Sequence, residues 1–268
     1  MPWKTVSHLV FALTMIGIGL IGFVKGGFAP IWAGVPKSLP DRQLLAYLCA
    51  LVALGCGAGL LVRRVAAPAA LVLASYLTIF TALFKVPLII RQPLVEVSYQ
   101  TTGENAVLIA AAWALYVHFA KRGAFPAGDI GQRLAYVLYG LALVAFGLSH
   151  FAYPDLTAPL VPGWLPAHLF WAYLTGAVYV VTGVALVIAL FASLAALLAA
   201  IQITLITLLV WGPVVLAGHV SGSNWQETVV SWALTAAAWV LASGSRPATA
   251  ASRGLFPRRR SRKSGSRR

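Results

Sequence analysis

Apolar runs dominate the chain, and short polar breaks divide them into eight segments at about residues 8–24, 44–62, 68–84, 102–120, 133–149, 169–190, 194–215 and 226–242. Each is close to the roughly 20 residues a helix needs to cross the hydrocarbon core of a bilayer. Charge marks most of the breaks: Arg63-Arg64 closes the second run, Arg91 follows the apolar extension of the third, and Lys121-Arg122 closes the fourth. Between the sixth and seventh runs only Ser193 interrupts the apolar character. The pattern predicts an all-α, polytopic integral membrane protein with eight transmembrane helices arranged as two repeated four-helix bundles, for the following reason.

The stretch from Phe146 to Gly176, FGLSHFAYPDLTAPLVPGWLPAHLFWAYLTG, has a degenerate copy from Phe23 to Leu51. Ala-Tyr-Leu recurs at 46–48 and 172–174, Val35-Pro36 matches Val161-Pro162, and Pro40 matches Pro166, all at a spacing of 126. The same spacing joins Gly57 to Gly183, Thr78 to Thr204, Thr81 to Thr207, Pro87 to Pro213, Gln100 to Gln226 and Trp113 to Trp239. A register held this long predicts a tandem repeat. The expected units are 1–122 and 133–243, separated by a linker whose Pro126, Gly128 and Gly131 break helical periodicity, and followed by a basic tail at 244–268. The repeat also places the turn after the sixth run, because Arg63-Arg64 stand at the equivalent of Ala189-Leu190. The first run pairs with the fifth, which nothing could cleave as a signal, so it is expected to stay as a helix.

Composition agrees with a lipid bilayer as the principal partner: 60% of residues are hydrophobic and 10% charged, against about 25% charged in soluble domains. The net charge of +14 does not argue for nucleic acid, because much of it sits in the tail and most of the rest in short loops. Eight crossings put both termini on one side, with Lys4, Arg63, Arg64, Lys121, Arg122, Arg133 and the tail's basic residues; Lys25, Lys37, Arg42, Lys85 and Arg91 fall on the other. The positive-inside rule then makes the termini cytoplasmic. Four helices per unit give both units one orientation, so their pseudo-twofold axis should follow the membrane normal.

The segment FGLSHF at the end of a first helix, a V-P-x-W-L-P loop, and an aromatic-rich second helix with Thr175-Gly176 and Thr182-Gly183 resemble the DoxX-like family of small four-helix bacterial membrane proteins. The likeness is good over about 134–243 and weaker over about 10–120. It implies a bacterial inner-membrane location, a four-helix fold per unit, and a place as a membrane component of a quinone-linked or other redox system, with other membrane or redox proteins as partners. The chain departs from the family's single unit in being a fused pair. Aligned on Phe23 and Phe146, the first copy has Gly27 opposite His150.

Three groups of residues bear on chemistry. Lys85 and Glu104 occur in the first copy alone, with Trp211 and Val230 opposite them; charges within apolar segments should be paired or line a cavity, since exposure at a helix centre costs roughly 2.5–3.5 kcal/mol. The expected site is an outer-side cavity of the first bundle, between its third and fourth helices, with His150 as a further ligand-binding residue. His150, His168, His219, Asp155 and Glu227 are metal-ligating types, but no two have local chelate spacing, and no metal is expected. Trp32, Tyr99, Trp164, Trp171, Tyr173, Trp211 and Trp225 are expected to form an interfacial belt, with a slot for a flat apolar ligand such as a quinone as the functional alternative. Cys49 and Cys56 lie about 10 Å apart on one helix, too far to pair.

No Walker, Rossmann, HExxH, serine-elbow or CxxCH motif is present, which argues against an ATP-driven pump or a covalent hydrolase and leaves open whether the protein is an enzyme. Three functions remain: the redox-system component, a small-solute permease or ligand-binding protein using an outer-face cavity, and an assembly partner. Arg258-Arg259-Arg260, Arg262, Lys263, Arg267 and Arg268 lie among Ser and Gly, a composition that cannot bury an apolar face. Truncation after Ser245 is expected to leave thermal stability unchanged, and external protease on intact cells should spare the tail; cleavage from outside would reverse the topology.

Overall fold

The computed structural model describes residues 2–121, 124, 128–218 and 221–244; the tail, His219 and most of the linker lie outside them. Among the described residues there are eight long helices and no strand. We label them α1 (Pro2–Lys25), α2 (Arg42–Leu61), α3 (Ala66–Arg91), α4 (Glu96–Phe119), α5 (Asp129–Ala152), α6 (His168–Val187), α7 (Ala192–Leu216) and α8 (Gly222–Gly244). The ends extend the sequence expectation by several residues at α1, α4, α5 and α8. The α6–α7 turn falls at 188–191 and is made without Gly or Pro, with Ala189 and Phe191 in the left-handed region (φ 60° and 46°).

Six helices, α1, α2, α3, α5, α6 and α7, are long and apolar enough to cross a membrane. The expectation of eight is thus met by composition for six. The exceptions, α4 and α8, carry Glu96, Glu104 and Asn105 and Asn224, Gln226 and Glu227 respectively. They sit at the centre, packed on each other, with α4 also against α3 and α5, and α8 also against α1 and α7. A helix wrapped by other helices can carry polar residues that a lipid-facing one cannot. At 24 and 23 residues they are nonetheless about 35 Å long at 1.5 Å per residue.

Outward-facing Leu, Ile, Val and Phe side chains cover the remaining helices, as lipid contact requires. Inside, α1 packs on α2 and α5 on α6 at backbone distance, and glycines make this close approach. A Cβ on Gly57 would stand 2.8 Å from the Ala12 carbonyl oxygen, and one on Gly183 2.6 Å from that of Gly140. Small residues allow such approach in lipid, where packing rather than water drives helix association.

Long-range spacings recur in the geometry. α6 begins and ends 126 residues after α2, preceded in each case by a left-handed residue, Asp41 or Ala167. In α3 and α7 a π-turn, Thr81–Lys85 or Thr207–Trp211, precedes Pro87 or Pro213. Proline has no N–H and crowds the carbonyl four residues before it, and the wider turn absorbs the misfit. In the first helices the spacing is 128: a Cβ on Gly19 meets the backbone of Ala50 and Leu54, and one on Gly147 meets that of Gly176 and Val180. The Phe23–Tyr47 and Phe151–Tyr173 stacks have centroids 5.9 and 5.7 Å apart and equal tilts of 20°. At a spacing of 128 it is Gly22 that falls opposite His150, rather than the Gly27 of the alignment on Phe23 and Phe146, and the spacing of 126 returns at Val35.

Gly57→Ala and Gly183→Ala are each expected to lower stability by about 1–3 kcal/mol through overpacking. Gly55→Ala, which would meet nothing within 4 Å, should not. Thermal unfolding in detergent checks the contrast.

Candidate functional site

The π-turn in α3 turns Lys85 inward. Its side chain is completely buried and donates from Nζ to the Thr101 carbonyl (2.9 Å) and to Asn105 Oδ1 (3.1 Å), both on α4. Asn105 Nδ2 donates to Thr81 Oγ1 (3.0 Å), and Thr81 donates to the Leu77 carbonyl (2.7 Å). The network is closed on itself, which is how a buried polar cluster avoids the cost of unmade hydrogen bonds. Lys85 and Glu104 attract each other electrostatically, but the hydrogen-bond partners of the ammonium are Thr101 and Asn105. In α7 the position of Lys85 is held by Trp211, also buried. There Thr207 Oγ1 lies 2.8 Å from Thr235 Oγ1 on α8.

Glu104, buried as well, borders a cavity of about 160 Å³ that the expected position does not predict. Glu96, Gln100 and Glu104 of α4, Ser149 and His150 of α5, Tyr179 of α6, Trp211 of α7 and Glu227 of α8 line it. It is therefore formed between the two halves rather than inside the first, and Lys85 lies outside its lining. The structure brings Glu104 together with His150, two site residues that sequence reading held apart. It adds Glu96 and Glu227, near enough to repel Glu104 and each other. With its amide nitrogen turned toward Glu96, Gln100 donates to both carboxylate oxygens at 2.6 and 3.1 Å.

His150 Nδ1 lies 2.9 Å from the Phe146 carbonyl oxygen. A carbonyl only accepts, so in the neutral ring Nδ1 carries the proton and Nε2 is left with a lone pair. His150 also borders a second, larger cavity of about 380 Å³, as do Thr157, Leu160, Ile206 and Trp211. The larger space is mostly apolar, lined by Val161, Leu165, Trp171, Val178, Leu198 and Leu205 among others, with Thr175 and Gln202 as polar exceptions. Gln202 Nε2 donates to the Thr175 carbonyl (3.0 Å), which fixes the amide orientation; its Oε1 is buried with no hydrogen-bond partner. Two acceptor atoms, on His150 and Gln202, thus belong to residues of one apolar chamber that joins an acidic one.

The remaining expectations fare unevenly. Among the described residues no three of His, Cys, Asp and Glu are grouped to hold a metal, and Asp155 is exposed. Cys49 and Cys56 are free and buried, with Cys49 Sγ 3.6 Å from the Tyr76 hydroxyl. The aromatic belt loses two members: Trp32 and Trp211 are buried in the interior, because a tight turn and a π-turn aim them inward, whereas Trp164 and Trp171 remain on the surface. Gln202 was missed altogether. Its signal in the sequence was a lone amide in an otherwise apolar helix, at the position that Tyr76 holds in α3. No protein-family model, no curated protein and no solved structure matches the chain.

Lys85→Met strands the Asn105 oxygen and leaves Glu104 without its nearby cation, so it is expected to destabilise the protein by about 3–5 kcal/mol. Adding Glu104→Gln should recover part of that loss. Equal unfolding temperatures for the single and double variants would contradict the coupling.

Proposed function

We propose that the chain is an eight-crossing inner-membrane protein made of two DoxX-like four-helix units. On this reading it holds the head of a quinone-type lipid in the joined cavities at His150 and serves as the membrane component of a redox system. The repeat is supported by the coincident bounds of α2 and α6, the paired π-turns and the paired glycine contacts. Eight crossings are supported by the lengths of α4 and α8 and their central packing. The distribution of basic residues supports cytoplasmic termini.

The observation that carries the ligand assignment is the junction itself. An apolar chamber of about 380 Å³, within the range typical of small-molecule sites, meets an acidic chamber through His150. A quinone-type lipid has the matching division, an apolar ring and chain with polar atoms at the ring edge. In the neutral ring His150 offers Nε2 to a ring hydroxyl, and the carboxylates of Glu96, Glu104 and Glu227 stand close by for a proton passing from it. Redox partners would supply or take the electrons.

The three carboxylates favour a second reading, a permease or binding protein for a small cationic solute entering through the acidic chamber. Purification in mild detergent followed by lipid extraction separates the two. A quinone retained at about one per chain in the wild type and lost in His150→Leu is the expected result. Absence of quinone together with His150-independent uptake of a cationic solute would overturn it.

A further inference from the structure

The first half contains a filled version of the larger cavity. Trp32 ends a 3-10 turn, Pro30–Trp32, that stands 128 residues before the turn Ala158–Leu160, the spacing that also relates the first helices of the two halves. Trp32 is completely buried, with its ring edge-on to Phe80 (4.9 Å, 69°) and Tyr76 (5.7 Å, 83°). At the spacing of 126, Phe80 and Tyr76 correspond to Ile206 and Gln202, both of which line the cavity of the second half. In that half the residue at the place of Trp32 is Leu160, which borders the cavity and is itself exposed. One half seats its own indole where the other leaves a space.

We propose that the cavity of the second half takes a flat aromatic ring bearing hydroxyl or N–H donors, seated as Trp32 is seated in the first half, and that the first half is closed to ligand by Trp32. The ring follows from the occupant of the equivalent space. The donors follow from the two acceptors that the second half adds, Gln202 Oε1 and His150 Nε2, where the first half has Tyr76 and Gly22. Gln202 Oε1 is a buried acceptor with no partner, which costs free energy that a ligand donor recovers. The inference deepens the quinone reading, on which its choice of oxidation state rests: the cavity favours the dihydroxy form over the dicarbonyl form, whose ring oxygens only accept.

The test uses the full chain in lipid nanodiscs, with a short-chain benzoquinol, the corresponding benzoquinone, and 2-naphthol as a redox-inert hydroxylated ring. Binding is read by calorimetry and folding by thermal unfolding. Quinol and naphthol are expected to bind at one per chain, quinol more tightly than quinone. Leu160→Trp, which supplies the second half with its own indole, should abolish both, and Gln202→Leu should weaken them about five- to tenfold. If Leu160→Trp fails to fold, Ile206→Phe introduces the side chain the first half has there and should exclude the same ligands. Naphthol binding that Leu160→Trp removes, with neither quinol nor quinone bound, would uphold the aromatic seat and end the quinone reading. Quinone binding equally to wild type and a folded Leu160→Trp or Ile206→Phe would overturn the seat while leaving that reading in place. Quinone binding as tightly as quinol would overturn the role given to the two acceptors.

Discussion

The approach of α5 to α6 at backbone distance is what the site depends on. At Gly176 a Cβ would meet the Cβ of His150 at 2.7 Å, and at Gly147 it would meet the Gly176 carbonyl oxygen at 2.6 Å. With both Cβ atoms absent, α5 lies in the groove of α6, and His150 comes to the wall shared by the two chambers. α5 also packs against α4, and His150 and Glu104 both line the acidic chamber. In lipid, where no water is squeezed from between helices, such contact holds by dispersion and close fit. A methyl group inserted there moves the site as well as the helix.

Charge is handled in two ways at nearly the same depth. Lys85 is sealed: the π-turn before Pro87 aims it at α4, where it is fully buried and donates to the Thr101 carbonyl and to Asn105 Oδ1. Glu104, adjacent to Asn105, is left on an open cavity. The lysine network therefore behaves as structure, fixing α3 against α4 and setting a cation behind the carboxylate. The carboxylate borders the acidic chamber. The equivalent π-turn of α7 carries Trp211 instead, which walls both chambers, so one backbone device positions a hidden cation in one half and a lining aromatic in the other.

The all-helical fold was legible because the long helices are written in apolar run lengths, and the spacing of 126 read from prolines and threonines recurs in the bounds of α2 and α6 and in the two π-turns. The helix ends were less so, since Glu96 and Asn224 open α4 and α8 with polar turns that read as loop. The spacing in the first helices was misread because it changes from 128 to 126 across Ala33-Gly34, a shift seen in the paired contacts of Gly19 and Gly147 and in the Phe23–Tyr47 and Phe151–Tyr173 stacks. Within the site, Lys85, Glu104 and His150 stood out as charge or imidazole in apolar surroundings. Their grouping did not, because it depends on which face of α4 meets α5, and the weak polarity contrast around that helix leaves its rotation unspecified by the sequence. Trp32 and Trp211 looked like headgroup aromatics for a similar reason: a tryptophan near a helix end reads the same whether its turn points outward or inward.

Photolabelling distinguishes a ring-binding cavity in the second half from general lipid contact. The wild-type protein in native membranes would be irradiated with an azido-derivatised benzoquinol, and the modified peptides mapped by mass spectrometry. Label concentrated on His168–Val187 and Ala192–Leu216, competed by unlabelled quinol, is the predicted result. Label on Arg42–Leu61 and Ala66–Arg91 to the same extent, or spread over lipid-facing residues without competition, would contradict a single aromatic-binding cavity in the second half.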